Sequence, residues 1–296
     1  MEDVIGTLKK ANAIAVDEHL TFDNPSHTYR FKGQKVRRSV TTLLKISFKE
    51  DGKFDADAVI KKNLANWRSN ASSQYYELVA DKSENDAIKA VKADWELRRD
   101  LGELLHKMCE VFLEARAAGQ AAPPPAPSVA TEFQSFVNLF GDPEQIVAQA
   151  ALEPFRTELP LIAIRDGHAV VAGTADALFL DSNGDTWLID FKRTDKDLSP
   201  SVFDFGRGGI NEMQGKKGND YNKYSLQLSF YAVMLEESAG ITVPPDHRLL
   251  VQLHPTLERP NIVKAACFDT QARSIIDRVA FEDAASRPSF AKRQKN

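Results

Sequence analysis

AGTADALFL (172–180) and TWLIDFK (186–192) are the two runs on which the reading of this chain turns. Each is short and apolar, and the Asn183-Gly184 turn signal between them predicts an antiparallel hairpin. A loop of three or five residues centred on Asn183 sets Asp176 directly across from Asp190. Period two then adds Lys192 to the face that Asp190 occupies. A loop of even length shifts the pairing by one residue and sends the two aspartates to opposite faces. Because the flanking residues are apolar on both faces, the strands are covered, and charges there are costly without a purpose.

Two carboxylates facing each other across a strand pair lie about 4.5–5.5 Å apart and repel unless something positive stands between them. A hard divalent cation such as Mg²⁺ meets that need and keeps positions open for water and phosphate. Lys192 is placed to stabilise developing negative charge or to orient the attacking water. Upstream, TELPLIAIR (157–165) reads as a third strand of an antiparallel meander, opened by Glu158, a third carboxylate candidate or a strand-edge surface charge.

Further out, residues 195–222 form a long polar connection holding Arg207, Lys216 and Lys217. YNKYSLQLSFYAVMLEESAG (221–240) is a predicted helix stopped by Gly240. It carries Lys223, Gln227 and Tyr231 on one face, either a solvated stripe or a row suited to a phosphate backbone. RLLVQLH (248–254) reads as a buried strand and about 270–285 as a final helix, with a frayed KRQKN tail.

Towards the N-terminus, LTFDNPSHTYRFKGQKVRR (20–38) reads as short strands turning at Asn24-Pro25-Ser26 and at Gly33. Arg30, Lys32, Lys35, Arg37 and Arg38 fall in it with no acidic residue among them, which is either a solvated face or a nucleic-acid contact. Ser39 or Thr41 caps a short helix after it. Residues 54–117 are mostly helical, with Leu101, Leu104, Leu105, Met108, Val111 and Phe112 forming a buried stripe. His106 sits at the edge of that stripe and taken alone reads as a hydrogen-bonded boundary residue. Four prolines between Ala122 and Pro127 end the helix, marking either a domain boundary or a corner inside one domain.

The 296 residues carry 38 Lys+Arg against 42 Asp+Glu, and 43% are hydrophobic. That excludes a disordered chain and a surface that is basic throughout, though not a local basic groove. Cys109 and Cys267 are too far apart in sequence for a metal knuckle or a disulfide framework. No apolar run reaches membrane-span length, and Met1 to Lys10 mixes charges without an export pattern, so a soluble, intracellular protein is expected.

AGTAD (172–176), LIDFK (188–192), QLSFY (227–231) and GELLH (102–106) together resemble the G-x-x-D, D-x-K, Q-x-x-x-Y and G-x-x-x-H signatures of the PD-(D/E)XK nuclease superfamily. The resemblance is to its RecB-like branch, which includes lambda exonuclease and relatives encoded by large DNA viruses. All four occur in that branch's order, over about residues 100–255. HTYRFKGQKVRRSVTTLL and FDADAVI are similar to the N-terminal region of the viral members.

The resemblance implies an α/β fold: a restriction-endonuclease-like core with a central mixed β-sheet flanked by helices, and an N-terminal helical elaboration. It implies one nuclease domain over 1–296, with the hairpin and His106 helix in 1–130 and the catalytic core in 131–296. One or two Mg²⁺ or Mn²⁺ ions are then held by Asp176, Asp190, the Phe191 carbonyl and His106, with Glu158 as a further acidic group. Lys192 becomes the catalytic lysine, and Gln227 and Tyr231 belong to the site. Arg30, Lys32, Lys35, Arg37, Arg38, Arg207, Lys216, Lys217 and Lys223 would hold the DNA backbone.

The expected activity is a metal-dependent exonuclease working from DNA ends in repair, recombination or replication, as a homo-oligomer or with partner proteins of those processes, and virus encoding fits the N-terminal likeness. A structure-specific endonuclease and a non-catalytic nucleic-acid-binding protein of the same fold are the alternatives.

Overall fold

The computed structural model describes residues 4–23, 26–49, 54–202 and 208–286. A short helix α1 (Thr7–Ala11) precedes β1 (Leu20–Asp23), β2 (Thr28–Phe31) and β3 (Gln34–Lys35), which form a three-stranded antiparallel sheet of their own. Next come β4 (Arg38–Ser39) and α2 (Val40–Ser47). The Ser39 side chain accepts from the Thr42 N–H, satisfying one of the amides that a helix start leaves without a partner.

The helical stretch resolves into α3 (Ala56–Ser69), α4 (Tyr76–Val79) and α5 (Glu84–Ala117). Capped by Ser83, α5 is 34 residues long, about 50 Å at 1.5 Å per residue. Its first half closes a satellite core with α3 through Ile60, Leu64, Ile88 and Val91. Its second half lays Leu105, Met108 and Leu113 into the main core. The prolines end the helix, yet α6 (Ala130–Asn138) turns back and adds Phe133 and Phe136 to the cluster that holds Leu105. The proline segment is therefore a corner within one core.

After α7 (Ile146–Gln149) come β5 (Glu153–Arg165), β6 (His168–Leu180) and β7 (Thr186–Lys192), an antiparallel succession as expected, with β5 starting ahead of Thr157. Ala177 pairs with Ile189 and Leu178 with Leu188, the register of a five-residue turn centred on Asn183. Leu178 and Leu188 lie in one core with Leu250, while Ala177, Phe179 and Ile189 lie in the core on the opposite face, so a slip of one residue would exchange the two sets and misfit both cores.

The chain closes with α8 (Asp220–Ala239), ended by Gly240 at φ 67°, then β8 (Arg248–Gln252), β9 (Asn261–Lys264) and α9 (Asp269–Ser286). The strand β9 has no signal in the sequence, since its four residues are too few to show a period. The main sheet runs β4-β6-β7-β8-β9, with β5 against β6; β7 and β8 are parallel, and so are β4 and β6. Helices α2, α8 and α9 cover one face, and α5 and α6 the other. The chain is thus a mixed α/β fold with a central mixed sheet flanked by helices. Among the described residues no helix is long and apolar enough to cross a membrane.

Strand β6 is paired with β5 along one edge, whereas its other edge is shared by two strands: β4 at Val171 and Ala172, and β7 from Ala177 onwards. Among the described residues, Gly173 to Asp176 have no ladder partner on that second edge. The sheet opens there.

Candidate active site

At the far end of this opening the ladders on both sides of β6 break in the same row. Continuing the β5–β6 register puts Glu158 opposite Asp176, and continuing the β6–β7 register puts Asp190 opposite it, but neither pair is bridged. Glu158 has a φ of 41°, a left-handed conformation that costs a non-glycine residue on the order of 1–3 kcal/mol. Burial on β6 changes phase at this row: Val171 and Ala175 face the α8 side before it, and Leu178 does so after it. The break turns the side chains of the row out of the regular pleat.

Asp176 Oδ2 accepts a hydrogen bond from the Phe191 N–H at 2.9 Å and lies 3.5 Å from His106 Nδ1. One ligand atom each from His106, Glu158 and Asp176 lie within 4.8 Å of one another. The Leu253 N–H donates to the Lys192 carbonyl at 2.9 Å on the β8 side, so the alternation of an extended strand turns the Phe191 carbonyl towards Asp176. The Phe191 ring meanwhile packs edge-on to Phe136 in the core. Asp190 stands apart from the histidine trio and pairs with Lys192, whose Nζ is 2.7 Å from its Oδ2.

The electrostatics of the row are unfavourable as it stands. Asp190 is 1% exposed, and among the described residues neither of its oxygens has a hydrogen bond of good geometry, the Lys192 contact being close but poorly directed. Burial pushes its carboxyl up to about 6, against the pull of Lys192 and with Asp176 adding to the rise. Glu158 is pushed up to about 8 by desolvation, then by Asp176 and Glu110. Its side chain is open to the cleft while protein crowds it on the other sides, and solvent on the open side moderates the effect. An orphaned buried carboxylate beside two more and an imidazole is a donor set that fits a divalent cation.

Lys192 is held as the ammonium: burial opposes the charge, but Asp190 and Asp176 outweigh it and raise its pKa. It lies 4.6 Å from the centre of the Tyr224 ring and donates to Gln227 Oε1 at 3.4 Å. Gln227 Nε2 in turn donates to the Tyr231 hydroxyl at 2.9 Å. Tyr231 packs on Gly173, where a Cβ would come within 2.8 Å of its Cε1 and of Val40 Cγ2. The row on α8 therefore faces inward and braces Lys192, so Gln227 and Tyr231 are not a solvated stripe. Lys223 is half-buried, 3.8 Å from Asp220.

His106 reaches the row from α5 and is 28% exposed at its side chain. Around it Arg99, Glu103 and Glu110 recur at helical spacing and line a cleft of about 950 Å³, with Glu158 on the opposite wall. Sequence reasoning does not single out these three, although their spacing from His106 is a signal that could have found them. Phe22 and His27 of the N-terminal hairpin complete the cleft, and nothing local in the sequence connects them to it.

The basic residues are spread more widely. Arg30 and Lys35 pair directly across β2 and β3, both exposed, on the hairpin face opposite Tyr29 and Phe31. Lys32 is exposed in the turn, 5.3 Å from the Phe31 ring centre. Arg37 and Arg38 both bind Asp283 of α9, and Arg38 also approaches Glu282, so their charge is used in fastening the hairpin to the core. Lys216 lies over the Phe268 ring and Lys217 donates to the Ser201 carbonyl. Arg207 lies outside the described residues.

No family model matches the chain, and no curated protein matches it in sequence. Among solved structures it is similar to one titled "Crystal structure of SSO0001", at 15% identity over 79% of this chain and 86% of that one, with a TM-score of 0.26. A superposition that loose carries no argument about fold family or activity.

Proposed function

We propose that the chain is a divalent-metal-dependent nuclease with a PD-(D/E)XK core, acting on DNA from its ends. The observation that carries this reading is the broken row. Glu158 of β5 and Asp176 of β6 meet beside His106, and Asp190, next in the same row on β7, is paired with a protonated Lys192 two residues further on.

His106, Glu158, Asp176 and the Phe191 carbonyl are the groups that would hold the ion, with Asp190 as the reserve of buried negative charge beside them. When bound, a divalent cation supplies Lewis acidity, easing deprotonation of water and neutralising charge on the phosphate. The imidazole makes Mn²⁺ as suitable as Mg²⁺. Lys192, fixed by Asp190, Tyr224 and Gln227, holds one ammonium beside the row, where it would offset the charge that grows on the oxygens of a phosphodiester held there. Contacts to phosphate carry no base information, which fits cleavage with little sequence preference.

Linear and circular duplexes incubated with Mg²⁺ or Mn²⁺ test this reading. Degradation of the linear form alone, lost in Asp190→Ala and in Lys192→Ala, supports it. Equal behaviour of the wild type and both variants ends the catalytic assignment, and cutting of the circle shifts it to an endonuclease.

A further inference from the structure

The end of β7 is held from one side. Beyond Ile189 it has no ladder partner towards β6 among the described residues, so Asp190, Phe191 and Lys192 keep their pairing through β8, where Lys192 stands beside Gln252. A bond from the Leu253 N–H to the Lys192 carbonyl at 2.9 Å closes that pairing. Gln252 is 2% exposed in the apolar strand β8, and it shares with Leu250 the face that Lys192 turns towards α8. A buried amide is costly unless its polar atoms are used. Here Nε2 donates to the carbonyls of Thr194 at 2.7 Å and of Lys196 at 2.8 Å, and Oε1 accepts from Asn261 Nδ2 at 3.0 Å. Carbonyls can only accept, so these two fix which end of the amide faces them, and Asn261 on β9 holds the other end.

The turn that this amide grips begins directly after Lys192. Thr194 Oγ1 accepts from the Lys196 N–H at 3.2 Å, which curls the chain so that two carbonyls reach one nitrogen. The side chains of the turn leave in other directions: Arg193 to the buried Glu132 of α6, Asp195 to Arg98 of α5 at 3.8 Å, and Lys196 to Asp220 of α8 at 3.3 Å. The pairs of Asp195 and Lys196 reach solvent, where ion pairs contribute little. Among these ties only that of Gln252 grips the backbone of the turn. Resting on the nuclease reading, we propose that Gln252 is a positioning residue for the reaction. By fixing the turn it holds the end of β7 in place, and with it the Phe191 carbonyl and the Lys192 ammonium relative to Asp176. The sequence marks Gln252 only as a polar residue inside a buried strand, since Thr194, Lys196 and Asn261 meet it only in the fold.

The first readout needs neither metal nor DNA: amide hydrogen exchange of the metal-free chain, followed by NMR. Gln252→Met keeps the bulk of the side chain and removes both donors. Exchange of the Phe191 and Leu253 N–H groups should quicken about ten-fold relative to amides in the middle of β6, because opening confined to one strand end leaves the rest protected. The second readout is cleavage of linear DNA with Mn²⁺. A misplacement of about 1 Å costs up to roughly a hundred-fold in rate, so kcat should fall at least about ten-fold while KM stays within about two-fold. Asn261→Leu leaves Gln252 without its orienting donor and should show the same pattern more weakly, adding little to Gln252→Met in the double variant. It also decides the matter should Gln252→Met fail to fold. Exchange that quickens equally throughout the molecule, or a local change with kcat intact, overturns the inference. A wild type that cleaves beside an equally active Gln252→Met leaves the nuclease reading standing and removes only the role of Gln252. A wild type that cleaves no DNA overturns the nuclease reading and the inference with it.

Discussion

Tyr231 of α8 rests on the bare backbone of Gly173, at a distance where a methyl group would come within 2.8 Å of the ring. The contact joins the strand leading to Asp176 with the helix whose Gln227 braces Lys192. Gly173→Ala must push back Tyr231, Val40 or both, and overpacking of this kind costs about 1–3 kcal/mol. The expected result is a lower urea midpoint and a loss of nuclease activity beyond what the stability change explains. Tyr231→Phe, which loses only the hydroxyl, should retain most of the stability.

Lys192 and Asp190 form a buried pair, and removing one member leaves the other uncompensated. Lys192→Met should destabilise the metal-free chain by about 3–5 kcal/mol. Adding Asp190→Asn to it should recover a large part of that loss while activity stays abolished. Denaturant unfolding of the two single variants and the double variant measures the coupling. Additive losses would show that the two groups do not act as a pair.

The metal-free chain should lose stability as pH rises. Glu158 is raised from 4.5 to about 8 and Asp190 from 3.8 to about 6, so between roughly pH 4 and 8 the folded state holds more protons than the unfolded one. Stability therefore falls with pH over that window, and the deficit is complete above the higher folded value. Glu158→Gln and Asp190→Asn should each flatten the slope in urea melts across the same range. Mn²⁺ should stabilise the wild type more at the alkaline end than at the acid end, because fewer of its ligands there must first give up a proton.

Glu114 lies about two turns beyond His106 on α5 and fastens the strained row from behind. It is 2% exposed, and its two oxygens accept from the Thr157 hydroxyl at 2.6 Å and the Leu8 N–H at 2.9 Å. Thr157 immediately precedes Glu158, so this contact holds the strand where its backbone turns left-handed. Glu114→Ala strands both donors and should cost about 2 kcal/mol or more. A double-mutant cycle with Thr157→Val is expected to show coupling above about 0.5 kcal/mol. The same variant should weaken Mn²⁺ binding, followed by thermal shift, while Glu114→Gln keeps part of both effects.

Much of the fold was legible in the sequence for local reasons. The turn at Asn183-Gly184 marks the hairpin, and an odd-length loop centred on Asn183 gives the register observed. Ser39 and Gly240 mark helix ends through chemistry that needs no distant partner. Asp176, Asp190 and Lys192 follow from that register by the period of a strand.

Only the tertiary structure decided how those residues are used. It broke the ladder at Glu158, turned Asp176 to His106 and left Asp190 to Lys192, and none of these follows from period two. It also drew Arg37 and Arg38 into ion pairs with Asp283, the nearer of the two 245 positions away in the chain. Local pattern specifies which side of a strand or helix a residue occupies. Which groups then share a cavity depends on how distant elements pack, and that is set by the burial of the whole core.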